Sequence, residues 1–461
     1  MDGMLTPAQA FELQKRFYAT GATLPVAFRK ARLRDLLDAM KRWEGRICEA
    51  LWTDLHKSGE EAYLTETSIV VSEIKDAIRN VRRWSRREMA LPSMSVLPAM
   101  SYVVKEPLGQ SLIVSPWNYP IQLLLCPLVG AMAAGCTAIL KPSPYVPHVS
   151  QVVADMVAET FDSGYVTVVQ GDRKVNAMLF DLPFDIIFYT GSPSVAHTVM
   201  EAAARHLTPV VLELGGKSPC IIDSTADIDV AARRIAWGKT LNSGQTCVAP
   251  DYILIHASVK DAFVEAFRKQ VSSLHGDDVR QSRHYVRMVS DKAFSRVSSY
   301  LRQGRILCGG RTDERERYIE PTLLDDVPLD APVMNEEIFG PIFPIVTLDD
   351  EGGSFKDKVT DFVNSRPKPL ALYYYGKESA GWDIIARTSS GGACINDCVM
   401  HLANTHLPFG GVGNSGMGRY HRRESFEAFT HRRSVLVNPT WIDMPFRYMP
   451  YKMFSLVKRL V

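Results

Sequence analysis

Short apolar segments between residues 111 and 213 alternate between strand character and helix character. The predicted strands are 111–115, 137–140, 166–170, 186–190 and 210–213, and the predicted helices are 123–134, 149–160 and 194–204. Strands that alternate with helices form a parallel sheet with helices on both faces. A second series begins after residue 214, with strands at 219–222, 252–255 and 342–346 and a helix at 259–273. We therefore expect an α/β fold with two doubly wound parallel-sheet domains.

The 20-residue apolar run 121–140 is long enough to span a bilayer. It contains Pro127 and several small residues, and it closely follows Pro116 and Pro120. A buried helix followed by a buried strand explains this composition better than a membrane span does, and we expect that arrangement.

Composition limits the classes of partner. The chain has 461 residues, which suits two or three domains. Its 53 Lys and Arg residues nearly balance its 51 Asp and Glu residues, so nucleic acid is not an expected partner. The eight cysteines form no CxxC pair and no metal-like spacing with histidine, so neither a disulfide framework nor a metal site is indicated. No export signal pattern is seen, and we expect a cytoplasmic protein.

The C-terminal segment is basic and aromatic. Residues 431–461 carry six Lys and Arg residues against one acid, mixed with Trp441, Phe446, Tyr448, Tyr451 and Phe454. Such a segment can touch a membrane or an apolar substrate, or it can be a docked terminal arm with a solvated basic side. We favour the docked arm over membrane contact.

One cysteine lies in a run of small and polar residues. Asn242, Ser243, Gly244 and Pro250 surround Cys247 and favour a loop. A thiol in a loop is a better nucleophile than one in a continuous apolar run, because apolar burial suppresses the thiolate. Taken alone, Cys247 can equally be a small buried hydrophobe.

Four other residues stand at or just after the ends of predicted strands: Pro116, Lys141, Gly191 and Glu213. Ligands of doubly wound sheets bind beyond the carboxyl ends of the strands. The pattern therefore places these four residues at the ligand-binding edge of the sheet.

Seven short motifs follow one another along the chain: residues 116–120 (PWNYP), 141–143 (KPS), 190–192 (TGS), 212–219 (LELGGKSP), 242–250 (NSGQTCVAP), 336–341 (EEIFGP) and 407–413 (LPFGGVG). They resemble those of the aldehyde dehydrogenase superfamily, most closely its class 3 branch, and they occur in that family's order. The resemblance extends from about Phe28 to about Val437. The resemblance implies an NAD(P)-dependent enzyme that oxidises an aldehyde to a carboxylic acid. We expect NAD as the cofactor and a medium- or long-chain aliphatic or aromatic aldehyde as the substrate.

Aldehyde oxidation by hydride transfer needs a thiolate, an oxyanion site, a hydride acceptor and a base for water. The resemblance implies that Cys247 is the nucleophile. It implies that Asn118, with the Cys247 backbone N–H, stabilises the oxyanion, and that Glu213 activates the water that releases the thioester. Without the resemblance, Asn118 can be a turn residue, and Glu213 can cap nearby N–H groups.

The resemblance also implies contacts to the cofactor and the substrate. The implied cofactor-binding residues are Trp117, Lys141, Gly191, Ser192, Glu337 and Phe339, and the implied substrate-binding residues are Tyr119 and Phe409. Gly191 and Ser192 lie between a strand and a helix and can present N–H groups to a phosphate, although the GxGxxG fingerprint is absent. Phe339 and Phe409 can also be core aromatic residues.

The same resemblance implies a homodimer and sets the expected domain boundaries. Residues 1–89 and 107–213 are expected to form a Rossmann-like NAD(P)-binding domain, and residues 214–427 a catalytic domain. A small oligomerisation arm is expected from residues 90–106 and 428–440, followed by a C-terminal tail, 441–461.

Three positions depart from the family pattern. Ala196 replaces a glycine and can alter how closely the helix start approaches the pyrophosphate. Val286 stands in the middle of a triplet where related chains have glycine. Pro144 replaces a glutamate that can bond the ribose hydroxyls. Loss of that carboxylate removes a repulsion against a 2′-phosphate, so we expect NADP to be tolerated.

Three other functions fit the sequence less well. A CoA-acylating aldehyde dehydrogenase passes the acyl group to CoA, and a base at Glu213 argues against it. A cysteine-dependent esterase or thioesterase needs no hydride acceptor, so Lys141, Ser192 and Glu337 would have no purpose. A binding or structural protein of the same fold would not need Cys247, Glu213 and Asn118 together.

Overall fold

The computed structural model describes residues 5–93, 96–443, 447–451, 454 and 458. The helices are α1 (Pro7–Ala19), α2 (Val26–Leu55), α3 (Gly59–Ala62), α4 (Ser68–Trp84), α5 (Gln122–Ala134), α6 (Pro147–Thr160), α7 (Arg173–Phe180), α8 (Pro193–Ala204), α9 (Ile228–Thr240), α10 (Lys260–His275), α11 (Asp291–Ser299), α12 (Pro332–Asn335), α13 (Phe355–Asn364), α14 (Glu378–Arg387) and α15 (Arg423–Ala428). A π-helical turn, Tyr63–Thr67, joins α3 to α4.

The strands are β1 (Glu88–Ala90), β2 (Met100–Pro107), β3 (Gln110–Val114), β4 (Thr137–Lys141), β5 (Val166–Val168), β6 (Ile186–Gly191), β7 (Val210–Leu214), β8 (Pro219–Ile222), β9 (Tyr252–His256), β10 (Arg305–Cys308), β11 (Thr312–Asp313), β12 (Tyr318–Ile319), β13 (Thr322–Asp325), β14 (Ile342–Leu348), β15 (Ala371–Tyr375), β16 (Gly392–Ile395), β17 (Gly416–Met417) and β18 (Thr430–Val437).

The first large sheet has the strand order β17-β7-β6-β3-β4-β5. Its strands from β7 to β5 are parallel, and β17 is antiparallel to β7. Helix α5 and strand β4 are buried along their whole length, which confirms the predicted buried helix and strand in 121–140. Within the described residues, no helix is long and apolar enough to cross a membrane.

The second large sheet has the order β10-β13-β14-β9-β8-β15-β16. Its strands from β13 to β16 are parallel, and β10 is an antiparallel edge. The chain crosses from the first sheet to the second between Leu214 and Pro219, so Glu213 lies at the junction. Two parallel sheets joined in this way confirm the predicted α/β class.

Strands β1, β2 and β18 form a separate three-stranded antiparallel sheet, in the order β1-β2-β18. Strand β18 pairs with β2 over eight residues, from Thr430 opposite Pro107 to Val437 opposite Met100. The other edge of β18 has no partner strand within the described residues, and most of its residues are exposed. Strand β18 and nearly all of β2 lie in the segments that the sequence assigns to the oligomerisation arm, whereas Glu88 and Met89 of β1 lie in the segment assigned to the NAD(P)-binding domain.

Local signals position the N-terminal helices. Thr6 caps α1 through a reciprocal capping box with Gln9, and Pro7 occupies the first turn. Helix α2 buries apolar residues at helical spacing against α4 and α6: Leu33, Leu36, Met40, Ile47 and Leu51. These packed helices support the segment from residue 56 to residue 67, which reaches the site described below.

Some elements differ from the expected ones. Helices α7 and α9 were not expected, because each carries only a short apolar stripe between charged residues. Strand β17 comes from the segment assigned to the catalytic domain, yet it pairs with β7 in the first sheet. Glycines allow this return: Gly416 has φ 146°, and a side chain at Gly411 would collide with the Ser415 backbone.

Much of the tail 441–461, including Phe446, lies outside the described residues. Trp441, Tyr448, Tyr451 and Phe454 are described and are exposed. The docked arm, which we favour over membrane contact, and the cytoplasmic location stay predictions.

Candidate active site

Cys247 lies in the loop between α9 and β9. The loop begins with three residues in the left-handed conformation, Asn242, Ser243 and Gly244, with φ values of 51°, 52° and 70°. A non-glycine residue in this conformation costs about 1–3 kcal/mol. Surrounding contacts must therefore hold the loop in place.

Two distant segments hold this loop. Glu61 of α3 accepts a hydrogen bond from the Asn242 N–H at 3.0 Å. The Ser243 hydroxyl donates to the Val286 carbonyl. The Gln245 side chain makes three bonds of 3.1 Å, to the main chain of residues 242, 287 and 289. Val286, one of the three departures, contributes to this loop through its carbonyl, which any residue supplies.

Asn118 follows β3 and contacts the cysteine loop. Its side-chain amide donates to the Gln245 carbonyl at 3.0 Å, which leaves one amide N–H for a ligand. Its backbone carbonyl accepts hydrogen bonds from Lys57 Nζ at 3.0 Å and from the Asn242 amide at 3.1 Å. These bonds fix Asn118 relative to the loop that carries Cys247.

A buried ion pair, Lys57 and Glu66, holds the main chain of the Asn118 segment. Lys57 Nζ lies 2.7 Å from Glu66 Oε1, and both side chains are fully buried. Glu66 Oε2 accepts hydrogen bonds from the N–H groups of Ile121 and Gln122, at 2.8 and 3.3 Å. Lys57 Nζ also lies 4.3 Å from the centre of the Tyr119 ring. Sequence reasoning missed Lys57 and Glu66, because their partners are about 60 residues away along the chain.

Two carboxyl groups lie near the cysteine, the buried Glu213 and the half-buried Glu337. Burial raises the pKa of Glu213 well above its usual range, and neither carboxyl oxygen has a hydrogen-bond partner within the described residues. Burial, followed by the charge of Asp251, raises the pKa of Glu337 to about 8. A side chain at Gly215 would collide with the Glu337 carboxylate, so this glycine makes room for it.

The thiol is neutral at neutral pH. Burial raises the pKa of Cys247 to about 12, and the nearby Glu337 and Glu213 carboxylates add to the rise. Reaction therefore needs a base that removes the proton. Glu213 suits this role, since a carboxylate with a raised pKa is a stronger base than an exposed one.

Cys247 forms part of the walls of two cavities. One is an apolar cavity of about 280 Å³, whose lining includes Tyr119, Trp237, Thr246, Phe409, Tyr420 and His421. The other is a more polar cleft of about 250 Å³, whose lining includes Trp117, Asn118, Glu213, Glu337 and Phe339. The thiol thus lies between a site for an apolar molecule and a site for a polar one.

The polar cleft continues along the carboxyl ends of β3, β4 and β6. An outer section of about 520 Å³ shares Trp117, Gly191 and Ser192 with the inner one and adds Lys141. Every site residue predicted from the sequence lines one of these three spaces. The structure therefore brings them together, and their individual roles stay predictions.

His421 and Tyr420 were not found from the sequence. His421 is buried, and neither ring nitrogen has a hydrogen-bond partner within the described part of the chain. Burial lowers its pKa to about 4, so the ring is neutral. It stacks on Phe409 with centroids 5.4 Å apart. The position of His421 twelve residues after Phe409 gives no local signal for this contact.

A family model described as the aldehyde dehydrogenase family matches residues 8–435. The chain belongs to the aldehyde dehydrogenase family. It is 47% identical over 447 residues to the 4,4'-diaponeurosporen-aldehyde dehydrogenase of Staphylococcus aureus (strain NCTC 8325 / PS 47), with 96% of each chain covered. It is 44% identical over 421 residues to the dimeric NADP-preferring aldehyde dehydrogenase of Rattus norvegicus, covering 91% of this chain and 92% of that one.

A solved structure of the substrate-bound state of Staphylococcus aureus AldH has a TM-score of 0.96 and 46% sequence identity, and covers 99% of this chain and 100% of that chain. The predicted family is confirmed, and this aldehyde dehydrogenase oxidises aldehydes with NAD(P).

The cleft of this aldehyde dehydrogenase fits a dinucleotide. Ser192 caps α8 without a capping bond from its side chain, so N–H groups at the helix start are open to a phosphate. A side chain at Gly191 would collide with the Tyr189 hydroxyl. Ala196, which replaces the family's glycine, is buried and does not line the cleft. Its methyl group therefore leaves the phosphate side of the cleft open.

We predict that Gly244→Ala reduces kcat/KM by more than about tenfold and lowers the free energy of unfolding, because its Cβ would collide with the Gly340 carbonyl oxygen. Gly276→Ala is a matched control, since Gly276 also has a positive φ, of 82°, but its Cβ would meet no atom within 4 Å. Steady-state kinetics and urea unfolding measure both effects. Equal losses in the two variants would contradict the role of the Gly340 contact.

We predict that Lys57→Met costs about 3–5 kcal/mol of unfolding free energy, because it leaves the Glu66 carboxylate buried and unpaired. The double variant Lys57→Met/Glu66→Leu should recover much of this stability but not kcat/KM, since Asn118 loses a donor and Ile121 loses an acceptor. Arg42→Met is the control, because Arg42 pairs with Glu159 on the surface and should cost about 0–1 kcal/mol. Recovery of kcat/KM together with stability in the double variant would show that the pair does not position Asn118.

Proposed function

We propose that this dehydrogenase oxidises apolar medium- or long-chain aliphatic aldehydes, or aromatic ones, through a thioester on Cys247. The observation that carries the proposal is the position of Cys247 between the apolar cavity and the polar cleft. An aldehyde tail occupies the apolar cavity, and its carbonyl carbon faces the thiol. The relative from Staphylococcus aureus supports this substrate class, because its name specifies a 4,4'-diaponeurosporen aldehyde.

The chemistry starts with removal of the Cys247 proton by the Glu213 carboxylate. The sulfur then bonds to the carbonyl carbon, and the carbonyl oxygen becomes an oxyanion. The free amide N–H of Asn118 and the Cys247 backbone N–H donate to that oxyanion. Loss of one such donor costs about 10²–10³ in rate.

Trp117, Lys141, Ser192, Glu337 and Phe339 would hold NAD(P), which would supply the hydride acceptor. Loss of hydride from the carbon leaves a thioester on Cys247. Glu213 releases the first proton to solvent and then takes a proton from water, and the resulting hydroxide attacks the thioester carbon. The C–S bond breaks, the carboxylic acid leaves, and the Cys247 thiol is restored.

A CoA-acylating dehydrogenase is the second candidate, since it shares every step up to the thioester. Glu213 argues for water as the acceptor, because both its oxygens lack hydrogen-bond partners within the described residues and are available to a water. A cysteine hydrolase does not explain the polar cleft on the opposite side of the thiol from the apolar cavity.

The test measures NAD(P)H formation from straight-chain and aromatic aldehydes with the wild-type enzyme, Cys247→Ala and Glu213→Gln. We predict that Cys247→Ala forms none and that Glu213→Gln forms at most one equivalent, leaving an acyl adduct visible by intact-mass spectrometry. Cys308→Ala is the thiol control, because Cys308 lies in β10 and lines neither cavity. Wild-type turnover should fall as pH drops through the raised pKa of Glu213, because protonation removes the base.

Two results contradict this function. If Cys247→Ala still forms NAD(P)H, the thiol is not the nucleophile. If CoA releases the acyl group faster than water and acyl-CoA accumulates, the acylating candidate replaces the hydrolytic one.

We also propose a homodimer that forms through β18. This strand has an open edge within the described residues, and Leu436 and Val437 are half exposed. Open edges pair readily with a second chain, and the Rattus norvegicus relative is named dimeric. Light scattering should give about twice the chain mass of 51.5 kDa, and Val437→Glu should lower it. Leu274→Glu, in α10, is the control for an added surface charge and should leave the mass unchanged. A monomeric wild-type enzyme would overturn the proposal.

A further inference from the structure

Three polar side chains in the wall of the apolar cavity lack hydrogen-bond partners within the described residues. They are Gln122, at the start of α5, and Tyr420 and His421, shortly before α15. All three residues are buried, with exposed fractions of 8%, 1% and 4%. Both ring nitrogens of His421 are unpartnered. The hydrogen bonds that Gln122 and Tyr420 make in the described part of the chain involve their main chain only.

The other hydroxyl groups of this wall have partners. The Tyr119 hydroxyl lies 2.7 Å from the Thr246 hydroxyl, and the Thr65 hydroxyl donates to the Glu61 carbonyl at 2.7 Å. A buried polar group without a partner costs about 1–3 kcal/mol. An aldehyde with a purely hydrocarbon tail would leave that cost in place for all three unpartnered side chains, whereas a tail with a polar group would remove it.

The backbone that places His421 in the wall is strained. His421 and Arg422 have φ values of 91° and 49°, and such a conformation costs about 1–3 kcal/mol for a non-glycine residue. The Glu73 carboxylate of α4 stabilises this bend, because it accepts the Arg422 N–H at 2.9 Å. Residues held under strain by their surroundings cluster at ligand sites. The bend therefore favours a ligand-binding role for His421 over a filling role.

The three side chains can both donate and accept hydrogen bonds without carrying charge. Burial lowers the pKa of His421 to about 4, so its neutral ring has one N–H donor and one acceptor nitrogen. Burial raises the pKa of Tyr420 well above its usual range, so its hydroxyl keeps its proton. The Gln122 amide adds two donors and an acceptor. The described lining of the cavity contains no Lys or Arg to pair with an anion, so a hydroxyl group fits this set better than a carboxylate.

We propose that Gln122, Tyr420 and His421 bind a hydroxyl group on the otherwise apolar tail of the aldehyde, so that the enzyme prefers hydroxylated aldehydes to purely hydrocarbon ones. The inference rests on the proposed function, since it takes the apolar cavity as the site of the tail. A site that hydrogen-bonds a substrate hydroxyl disfavours the analogue without it, because the buried polar groups are then left unpaired.

The test compares pairs of aldehydes in which a hydroxyl group replaces a methyl group of similar size. The pairs are 4-(hydroxymethyl)benzaldehyde with 4-ethylbenzaldehyde, the corresponding 3-substituted compounds, and 8-hydroxyoctanal with nonanal. We expect the wild-type kcat/KM to be at least about tenfold higher for the hydroxylated member of at least one pair. Titration calorimetry of Cys247→Ala with the same pair should show the same order of dissociation constants, because the preference arises in binding.

His421→Phe should remove most of this preference by lowering kcat/KM for the hydroxylated member alone, since phenylalanine can keep the stacking on Phe409. Gln122→Leu repeats the test from α5, where the backbone is helical, and should change the preference in the same direction. His275→Phe is the matched control and should keep the preference. Burial also lowers the pKa of His275 to about 4, but this histidine lines neither the apolar cavity nor the polar cleft.

The results separate this inference from the proposed function. Equal kcat/KM values within every pair for the wild-type enzyme overturn the inference but leave the proposed function standing. A wild-type preference that both His421→Phe and Gln122→Leu retain also overturns it, because the hydroxyl group is then bound elsewhere. If the wild-type enzyme forms no NAD(P)H from any of these aldehydes, the proposed function itself fails.

Discussion

The buried ion pair between Lys57 and Glu66 is the interaction on which the site's geometry depends. Removing two charges from water costs several kcal/mol per ion, and their attraction offsets this cost only when further hydrogen bonds satisfy both groups. Here the further bonds go to the main chain on both sides of Tyr119. The pair can therefore be satisfied only when the Asn118 loop has its present shape. The loop shape that satisfies the Lys57–Glu66 pair is therefore also the shape that places the Asn118 amide for the oxyanion.

Exclusion of water has a second effect at the centre of the site. Cys247, Glu213 and Glu337 all have raised pKa values, and burial is the largest cause for each. The negative charges of Glu337 and Glu213 further raise the pKa of Cys247, because like charges disfavour a nearby thiolate. Each group therefore keeps its proton up to a higher pH than an exposed group of the same type does. A neutral thiol next to a strong base is less prone to side reactions than a free thiolate, yet it can be activated once a carbonyl group is present.

Much of the fold and of the site could be predicted from the sequence. Strands β3, β4, β6 and β7 have local apolar patterns, and Lys141, Gly191 and Glu213 follow directly from their ends. Motifs carried the remaining assignments, including Cys247 and Glu337, because those residues lie in short distinctive segments.

Sequence reasoning missed Lys57, Glu66 and His421 because their roles depend on tertiary contacts. Lys57 and Glu66 lie among other charged residues of helical segments, where charges usually mark a solvated face. Only the tertiary fold shows that both are fully buried. Likewise, only the tertiary fold shows that His421 stacks on Phe409 and lines the apolar cavity. A sequence pattern reports local conformation and average burial, whereas these residues depend on contacts between separate elements.

The left-handed bend at residues 242–244 depends on contacts from outside the cysteine segment, 242–250. The side chains and carbonyls that hold residues 242, 245 and 243 come from positions 181, 127 and 43 residues away in the chain. Nothing within the nine-residue cysteine segment can replace them. The segment is therefore not a transferable module. Grafted onto another scaffold, it would keep its composition but relax to an ordinary turn, and its thiol would lose both the dry surroundings and the fixed distance to an oxyanion donor.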